Sequence, residues 1–276
     1  LSSYLIVGLS AGHNSRIGAI AFVPLVVAGI HLCFSGRRVL GFSLVAAALA
    51  LHLRENHLQI TYYLMLIVGI YGIATLVEFI REKKFTDFLK NIALLLLAAV
   101  LAAGTFFGQF WAITEYTKYS TRGKFELTKP GEGTPESGLT REYAFQYKYG
   151  ILQPMTLLIP ELYGGGSGKF FYQDRNSESY KSLVGSNNPE MANQLAQYTS
   201  AYWGPQGATL APYYAGAIVV FLFVLGILFA DKRYVWWLVP LSVLGIMLSW
   251  GDSFPTFNYF VFDYFPGYNK FRSFSF

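Results

Sequence analysis

The chain has 276 residues and a formal net charge of +5, and 53% of its residues are hydrophobic while only 13% are charged. Soluble domains carry about a quarter charged residues, so this composition excludes an ordinary soluble protein and predicts an integral membrane protein. The single cysteine, Cys33, excludes an internal disulfide and a cysteine-based zinc site. Because the sequence opens at Leu1 without an initiator Met and closes inside an aromatic run, we expect it to be a piece of a longer chain.

Apolar runs predict the membrane-spanning segments, since a helix needs roughly 20 apolar residues to cross a bilayer. The predicted spans are Ile17–Ser35, Val39–Leu53, Leu58–Val77, Asn91–Ile113, Leu210–Ala230 and Val235–Trp250, with a truncated run Leu1–Leu9 before them and the aromatic run Phe254–Phe276 after them. The predicted fold is therefore an all-α polytopic membrane protein. Residues 1–113 form about five helices, residues 114–209 a mixed loop lobe of about 96 residues, and residues 210–276 further helices and the start of another outer segment.

Basic residues in the short loops predict the orientation in the membrane, because cytoplasmic loops carry an excess of Lys and Arg. One alternate set of loops holds eight such residues, namely Arg37, Arg38, Arg81, Lys83, Lys84, Lys90, Lys232 and Arg233. The other set, apart from the large loop, holds only Arg16 and Arg54. The first set is therefore predicted to face the cytoplasm and the large loop to be extracytoplasmic. The large loop has nine bases and nine acids without a basic stripe, which excludes nucleic-acid binding.

Within the large loop, residues 121–138 are predicted to form turns because Gly, Pro and Thr recur there. Alternating aromatic residues over Tyr143–Tyr149 suit a strand or an interfacial segment. The apolar run Met155–Leu162 is too short to span and suits a re-entrant segment. Gly164–Gly168 predicts a hinge or a close backbone approach. It lacks the Lys of a phosphate-binding loop. Asn188–Tyr198 predicts one short surface helix.

The densest group of polar residues lies between two spans, in the sequence L-R-E-N-H-L-Q-I-T-Y-Y from Leu53 to Tyr63. A tight turn needs little polarity, and ionisable groups at membrane depth cost several kcal/mol unless they pair or react. One interpretation is a polar site at the outer face of the membrane. The alternative is an interfacial ion pair of Arg54 and Glu55 beside an aromatic belt that contains Tyr62 and Tyr63.

A reactive site on the outer face has no access to cytoplasmic nucleotides, so group transfer there needs a donor that has already crossed the membrane. A lipid-linked phosphate sugar fits, and it requires a cation, a carboxylate and aromatic surfaces. The candidate cations are Arg16, Arg54, Lys270 and Arg272, and the candidate carboxylates are Glu55 and Asp252. Tyrosines of the large loop and Trp203 are candidate sugar platforms, although they equally suit the core of a small lobe.

Each candidate has a structural alternative. Arg16 opens a span and suits a side chain that extends to lipid headgroups, and Asp252 suits a helix cap. His13 and His57 lie on the same predicted side, but without a placed carboxylate they make a weak metal site, so no metal ligand is predicted. His31 and His52 lie within apolar runs, and we expect both to be hydrogen-bonded core residues.

Five motifs carry a resemblance to a known family. They are A-G-H-N-S-R-I-G at Ala11–Gly18, E-N-H-L-Q-I-T-Y-Y at Glu55–Tyr63, L-L-I-P-E-L-Y-G-G at Leu157–Gly165, Y-W-G-P-Q at Tyr202–Gln206 and F-P-G-Y-N-K-F-R-S at Phe265–Ser273. In this order they resemble the YfhO-like bacterial membrane proteins of the Bacteroidetes type. The resemblance implies a fold similar to GT-C glycosyltransferases and sugar transfer from a polyprenyl-phosphate carrier at the outer face.

The resemblance covers the donor-binding half of such a site better than the catalytic base. GT-C enzymes usually carry a catalytic Asp or Glu just after the first span, and that position would precede Leu1. The stretch before L-L-I-P often carries an acid in relatives, whereas Gln153 and Pro154 occupy it here.

The leading hypothesis is a GT-C-like glycosyltransferase of the bacterial cytoplasmic membrane, with an envelope glycan or lipid as acceptor. Glu55 and His57 are the predicted catalytic residues. The predicted substrate-binding residues are Arg16, Arg54, Gln59, Tyr62, Asp252, Lys270 and Arg272. Membrane lipids and a lipid-linked sugar donor are the expected partners. No cofactor is firmly indicated, and a requirement for a divalent cation is an open alternative. A transporter or flippase of a lipid-linked glycan and a scaffold subunit of an envelope complex are the alternatives.

Overall fold

The computed structural model describes residues 3–120, 139–166, 176–185, 202–204 and 213–272, together with residues 190 and 194. Across these described ranges the regular structure is helical, and the strand-like feature is an isolated antiparallel bridge between Gly164 and Tyr202. The chain divides into two compact units. The helical unit comprises Gly8–Gly138 and Leu225–Val243, and the loop unit comprises Leu1–Val7, Leu139–Val224 and Leu244–Phe276.

The α-helices are numbered here in chain order. They are α1 (Ser3–Ser10), α2 (Asn14–Phe34), α3 (Arg38–Arg54), α4 (Leu58–Arg81), α5 (Phe85–Thr117), α6 (Arg141–Ala144), α7 (Glu178–Val184), α8 (Ala217–Phe229), α9 (Lys232–Ser249) and α10 (Pro255–Tyr264). Within the described ranges, short 3-10 helices cover Gln153–Leu157, Gly251–Ser253 and Tyr268–Lys270.

Three of the described helices are long and apolar enough to cross a membrane, namely α2 with 21 residues, α4 with 24 and α5 with 33. At about 1.5 Å of rise per residue, even α2 reaches the thickness of a bilayer core. Only 28%, 17% and 22% of their most apolar stretches are buried. Large apolar side chains such as Leu96 and Met65 are 62% and 66% exposed, as expected for helices that could lie in lipid. The prediction of an all-helical fold is confirmed for the described residues, and three of the helices could span a membrane.

Helices α2 and α3 pack most closely, and two glycines make that contact possible. The Cβ atom of an alanine at Gly41 would lie 2.6 Å from the backbone N of Cys33 and from the carbonyl oxygen of Gly29. A Cβ at Gly29 would in turn lie 2.7 Å from Cγ2 of Val45. We call this the glycine contact. It lets the two backbones approach without intervening side chains, as small residues do in membrane helix pairs.

The core of the helical unit continues from the glycine contact toward α4, α5 and the first half of α9. Its buried members are Val26, Ile30, Val45, Ala48, Leu64, Tyr71, Ala98 and Trp237. Helix α5 is fixed to α3 by Arg38, which donates from Nε to Oδ1 of the buried Asn91 at 2.8 Å and from Nη2 to Asp87 at 3.0 Å. These bonds explain why α5 begins before the predicted span Asn91–Ile113, since its polar first turn pairs with α3.

The predicted strand alternative at Tyr143–Tyr149 is wrong. Thr140 instead accepts a hydrogen bond from the backbone N of Tyr143 and caps the helical turn α6. In a strand this amide would need a partner on a neighbouring strand, whereas the Thr140 side chain satisfies it locally. Phe145 then packs against Phe262 of α10 with ring centroids 5.4 Å apart. The backbone N of Tyr149 donates to the carbonyl of Ser249 at 2.9 Å. These contacts hold the segment against the loop unit's helices.

Other loop predictions have mixed outcomes. Residues 151–162 are exposed at most positions and contain the 3-10 helix Gln153–Leu157, so no long helix forms there. Helix α8 begins at Ala217, after Gly216 with φ of 102°, and is shorter than the predicted span Leu210–Ala230. The predicted turns at 121–138 lie outside the described residues, as does almost all of the predicted surface helix Asn188–Tyr198.

Candidate functional site

The candidate site lies where three helices of the helical unit meet. Helix α2 begins at Asn14, α3 ends at Arg54, and α4 begins at Leu58 after a turn of three residues. Because α2 and α3 are antiparallel and the α3–α4 turn is short, the N-termini of α2 and α4 lie at the same end as the C-terminus of α3. We call His13–Arg16 together with His52–Tyr62 the polar end of the unit.

His57 is the N-cap of α4. Its Nδ1 accepts a hydrogen bond from the backbone N of Ile60 at 3.4 Å, and its carbonyl oxygen lies 3.4 Å from the Thr61 hydroxyl. An N-cap side chain satisfies one of the amides that the first turn of a helix leaves without a partner. Because Nδ1 accepts only when it carries no proton, the cap requires a neutral imidazole that carries its proton on Nε2.

Burial and nearby charge favour the neutral forms of His13 and His57. The pKa of His57 is lowered from its ordinary value, first by burial and next by the Arg16 guanidinium. The pKa of His13 is lowered by desolvation and by the same guanidinium. Arg16, half-buried in the first turn of α2, therefore lies close enough to both rings to act on them electrostatically. At neutral pH the guanidinium of Arg16 therefore lies beside two uncharged imidazoles.

His52 is fully buried and links the three helices. Its Nδ1 lies 2.9 Å from the carbonyl oxygen of Ala19 in α2, and its Nε2 lies 3.0 Å from the Thr61 hydroxyl in α4. A carbonyl can only accept, so Nδ1 donates and Nε2 is left to accept from Thr61. The prediction of a hydrogen-bonded core histidine is confirmed here. His31 is hydrogen-bonded as predicted, with its Nδ1 3.0 Å from the Tyr71 hydroxyl, but it is half-buried and is not a core residue.

Glu55 follows α3 directly and packs against α2 at Gly18. A Cβ atom on Gly18 would overlap the Glu55 carboxylate, so glycine at this position is what lets the carboxylate reach the α2 backbone. The charge of Glu55 also interacts electrostatically with the buried His52. The predicted acid of the site is thus held between two helices, half-buried, and not extended into solvent.

The other predicted residues of the turn surround this group. Arg54 ends α3 and is exposed. Gln59 donates from Nε2 to the Tyr63 hydroxyl at 3.0 Å, and the ring of Tyr62 packs edge-on to Tyr63 with centroids 6.3 Å apart. The structure therefore brings six of the nine predicted site residues to one end of the helical unit: Arg16, Arg54, Glu55, His57, Gln59 and Tyr62.

The remaining three predicted residues belong to the loop unit. Asp252 lies in the 3-10 helix Gly251–Ser253 and pairs with Lys148 at 2.6 Å. Arg272 lies over the ring of Tyr143 at 4.0 Å to the centroid. Lys270 is half-buried at the end of the 3-10 helix Tyr268–Lys270. Asp252 and Arg272 thus have partners within the loop unit that stabilise them as structural groups.

Sequence reasoning missed one member of the polar end, one glycine beside it and one ion pair. Thr61 and Gly18 were not singled out as site residues, although an i,i+4 relation between His57 and Thr61 marks the first turn of α4. Lys148 lies 104 residues from Asp252, and no local pattern indicates that pairing. Among the described residues no group of three His, Cys, Asp or Glu side chains is arranged to hold a metal ion.

The arrangement favours an anion. Two helix N-termini, each with partial positive charge, lie at the same end as a guanidinium. Two neutral imidazoles add hydrogen-bonding groups without adding charge, and a carboxylate lies within the same group. Comparison with protein-family models, curated proteins and solved structures gives no match to this chain.

Proposed function

We propose that the polar end binds the phosphate of a polyprenyl-phosphate sugar and that the protein is a membrane glycosyltransferase. The observation that carries the proposal is the meeting of Arg16 with two helix N-termini at one end of an apolar bundle. A phosphate in that position gains from the fixed charge and from the helix dipoles. The long lipid chain of such a donor would lie along the exposed apolar faces of the spanning helices.

The neutral histidines suit this role. A phosphate beside two imidazolium rings would be held too tightly to leave after transfer, whereas neutral rings accept or donate single hydrogen bonds. In the proposal His57 orients the donor or the acceptor hydroxyl, and Glu55 accepts the proton of that hydroxyl. Gln59 and Tyr62 line the approach, and the exposed Arg54 provides a second cation for the donor phosphate.

The finer assignments belong to the same proposal. The motifs of Ala11–Gly18 and Glu55–Tyr63, which resemble YfhO-like proteins, supply the residues of the polar end. We therefore propose a GT-C-like fold, with an extracytoplasmic lobe formed by residues 114–209. The excess of Lys and Arg in the opposite loops supports a polar end on the outer face of the bacterial cytoplasmic membrane.

Transfer from polyprenyl-phosphate-linked monosaccharides, each radiolabelled in the sugar, tests the proposal in membranes that contain the protein. Arg16→Gln keeps the size of the side chain but removes its charge, and we expect it to lower incorporation by about 100-fold, the usual effect of losing one preorganised charge contact. His57→Asn retains an N-cap acceptor and removes the imidazole. Arg37→Gln, which removes a cation at the opposite end of the bundle, is the matched control and should leave incorporation unchanged.

Equal incorporation by wild type and Arg16→Gln would remove the polar end from the donor site. Movement of the labelled lipid across the bilayer without any transfer would favour the flippase alternative instead. Membrane levels of each variant, measured by quantitative immunoblotting, separate lost chemistry from lost protein.

A further inference from the structure

We propose that the end of the helical unit opposite to the polar end carries a second site, a cavity that binds the phosphate headgroup of an anionic glycerophospholipid. The inference stands on a different group of residues from the proposed transfer site and does not require transfer activity. We call this region the basic end, formed by residues 31–38, 70–91 and 231–240.

The cavity encloses about 990 Å³ between the C-terminal halves of α2 and α4, the N-termini of α3 and α5, and the start of α9. All of its lining residues belong to the helical unit. Its inner wall is aromatic, with Tyr71 and Trp237 in contact at 4.9 Å between ring centroids and Phe34 in edge contact with Tyr71. Both Tyr71 and Trp237 are buried.

The rim of the cavity carries four cations, Arg38, Arg81, Lys84 and Arg233, and three carboxylates, Glu78, Glu82 and Asp87. Arg38 pairs with Asp87 at 3.0 Å and Lys84 with Glu82 at 2.7 Å. Arg233 pairs with Asp231 at 3.0 Å and also lies 4.0 Å from Glu78. Arg81 makes no ion pair with any residue in the described ranges. One positive charge on the rim is therefore available to an added anion.

The ion pairs of the rim are exposed, so each is worth little and can be exchanged for a ligand contact at small cost. The side chains of Arg38 and Arg233 are 38% and 54% exposed, so both guanidinium groups are accessible to a ligand. A phosphate placed on the rim would meet Arg81 directly and could share Arg38 or Arg233 with their carboxylates. Basic pockets between membrane helices bind anionic headgroups through this arrangement.

The apolar parts of the lining identify the ligand as an amphiphile. Ile73 and Trp236 line the cavity and are 66% and 78% exposed, so the lining continues onto the surface that lipid covers. A free phosphate would satisfy the rim but would leave the aromatic wall unfilled. A lipid fits both parts, because its headgroup meets the rim while its first chain segments lie against Ile73 and Trp236.

Two variants test the contributions of rim charge and of cavity volume to lipid binding separately. Arg81→Gln removes the available cation without breaking an ion pair, and we expect about a 5-fold loss of affinity for phosphatidylglycerol, as one interfacial base contributes. Ala74→Trp keeps every charge and fills the cavity, since Ala74 lines it, and should abolish binding. Arg37→Gln is the matched control, because Arg37 is an exposed arginine of the same end that does not line the cavity and makes no side-chain cap bond.

Binding is measured by native mass spectrometry of the whole chain in detergent, titrated with phosphatidylglycerol, phosphatidylcholine or inorganic phosphate. Circular dichroism verifies that each variant keeps its helices. We expect phosphatidylglycerol to bind at least about 5-fold more tightly than phosphatidylcholine, with Arg37→Gln unchanged. Equal binding of the two lipids, an equal loss in Arg37→Gln, or full binding to a folded Ala74→Trp would overturn the proposal. Displacement of the lipid by equimolar inorganic phosphate would also overturn it in favour of a soluble phosphorylated ligand.

Discussion

The two ends of the helical unit hold their polar residues in different ways. At the polar end, His52 and His57 are fixed by hydrogen bonds to backbone and hydroxyl groups, and the carboxylate of Glu55 lies against Gly18. At the basic end, Lys84 and Arg233 are held by exposed ion pairs around a cavity. Hydrogen bonds to buried partners define one geometry, whereas exposed ion pairs exchange readily. The polar end is thus built for a precise arrangement and the basic end for a replaceable one.

The glycine contact joins the two ends, so its loss should have the largest effect on stability. Gly41→Ala places a Cβ atom against the α2 backbone, which cannot move aside as a flexible side chain can. We expect the free energy of unfolding to fall by about 1–3 kcal/mol, as for other overpacked contacts. Thermal unfolding in detergent measures it. Gly69→Ala in α4 is the control, because nothing lies within 4 Å of its added Cβ; an equal loss there would refute the steric explanation.

An effect of at most the same size is expected at the basic end. Arg38→Leu leaves Oδ1 of the buried Asn91 without its donor and removes the partner of Asp87. An unsatisfied buried acceptor costs about 1–3 kcal/mol. Lys84→Leu removes only an exposed pair with Glu82, so a much smaller loss is expected. Comparable losses in chemical denaturation of the two variants would show that Asn91 does not distinguish these contacts.

The smallest effect is a pH dependence from the polar end. Because the pKa of His57 is lowered on folding, the unfolded chain binds more protons than the folded chain as pH falls through 6.5 and below. The stabilisation from the neutral ring is complete above the ordinary pKa and is lost on acidification. The pKa of His13 is lowered too and acts in the same direction.

Melting temperatures between pH 8 and pH 5 should therefore decrease less steeply for His57→Asn than for the wild type, since asparagine caps α4 at any pH in this range. A control with His31→Asn at the basic end separates this effect from general acid sensitivity. If the melting temperature of His57→Asn depended on pH as steeply as that of the wild type, the neutral His57 ring would not be the source of this pH dependence.

Much of the helical unit was predictable from the sequence because apolar runs with polar interruptions determine where helices begin and end. The short turn Glu55–His57 and the buried position of His52 follow from where those residues lie in the runs. The strand alternative at Tyr143–Tyr149 failed because the cap from Thr140 outweighs a local alternation of aromatics. The local sequence pattern is compatible with a strand and with a capped helical turn. The contact of Phe145 with Phe262 of α10 adds to the cap and favours the turn.

The glycine contact, the pairing of Lys148 with Asp252 and the cavity at the basic end could not be predicted. Each depends on residues far apart in the chain that approach only after the helices pack. Gly29 and Gly41 resemble ordinary span glycines in the sequence, and several glycines of the neighbouring helices have open space around them. The local sequence spacing does not distinguish glycines that lie in a helix contact from glycines that have open space around them.

The central claim is that the polar end and the basic end lie on opposite sides of the membrane, with the polar end outside. Single cysteines in a Cys33→Ala background test it directly. Ser15→Cys marks the polar end and Thr86→Cys the basic end, and both positions are exposed. With a membrane-impermeant maleimide on intact spheroplasts, we expect labelling of Ser15→Cys and labelling of Thr86→Cys only after lysis. Labelling of Thr86→Cys but not Ser15→Cys in intact spheroplasts, or equal labelling of both, would contradict the account.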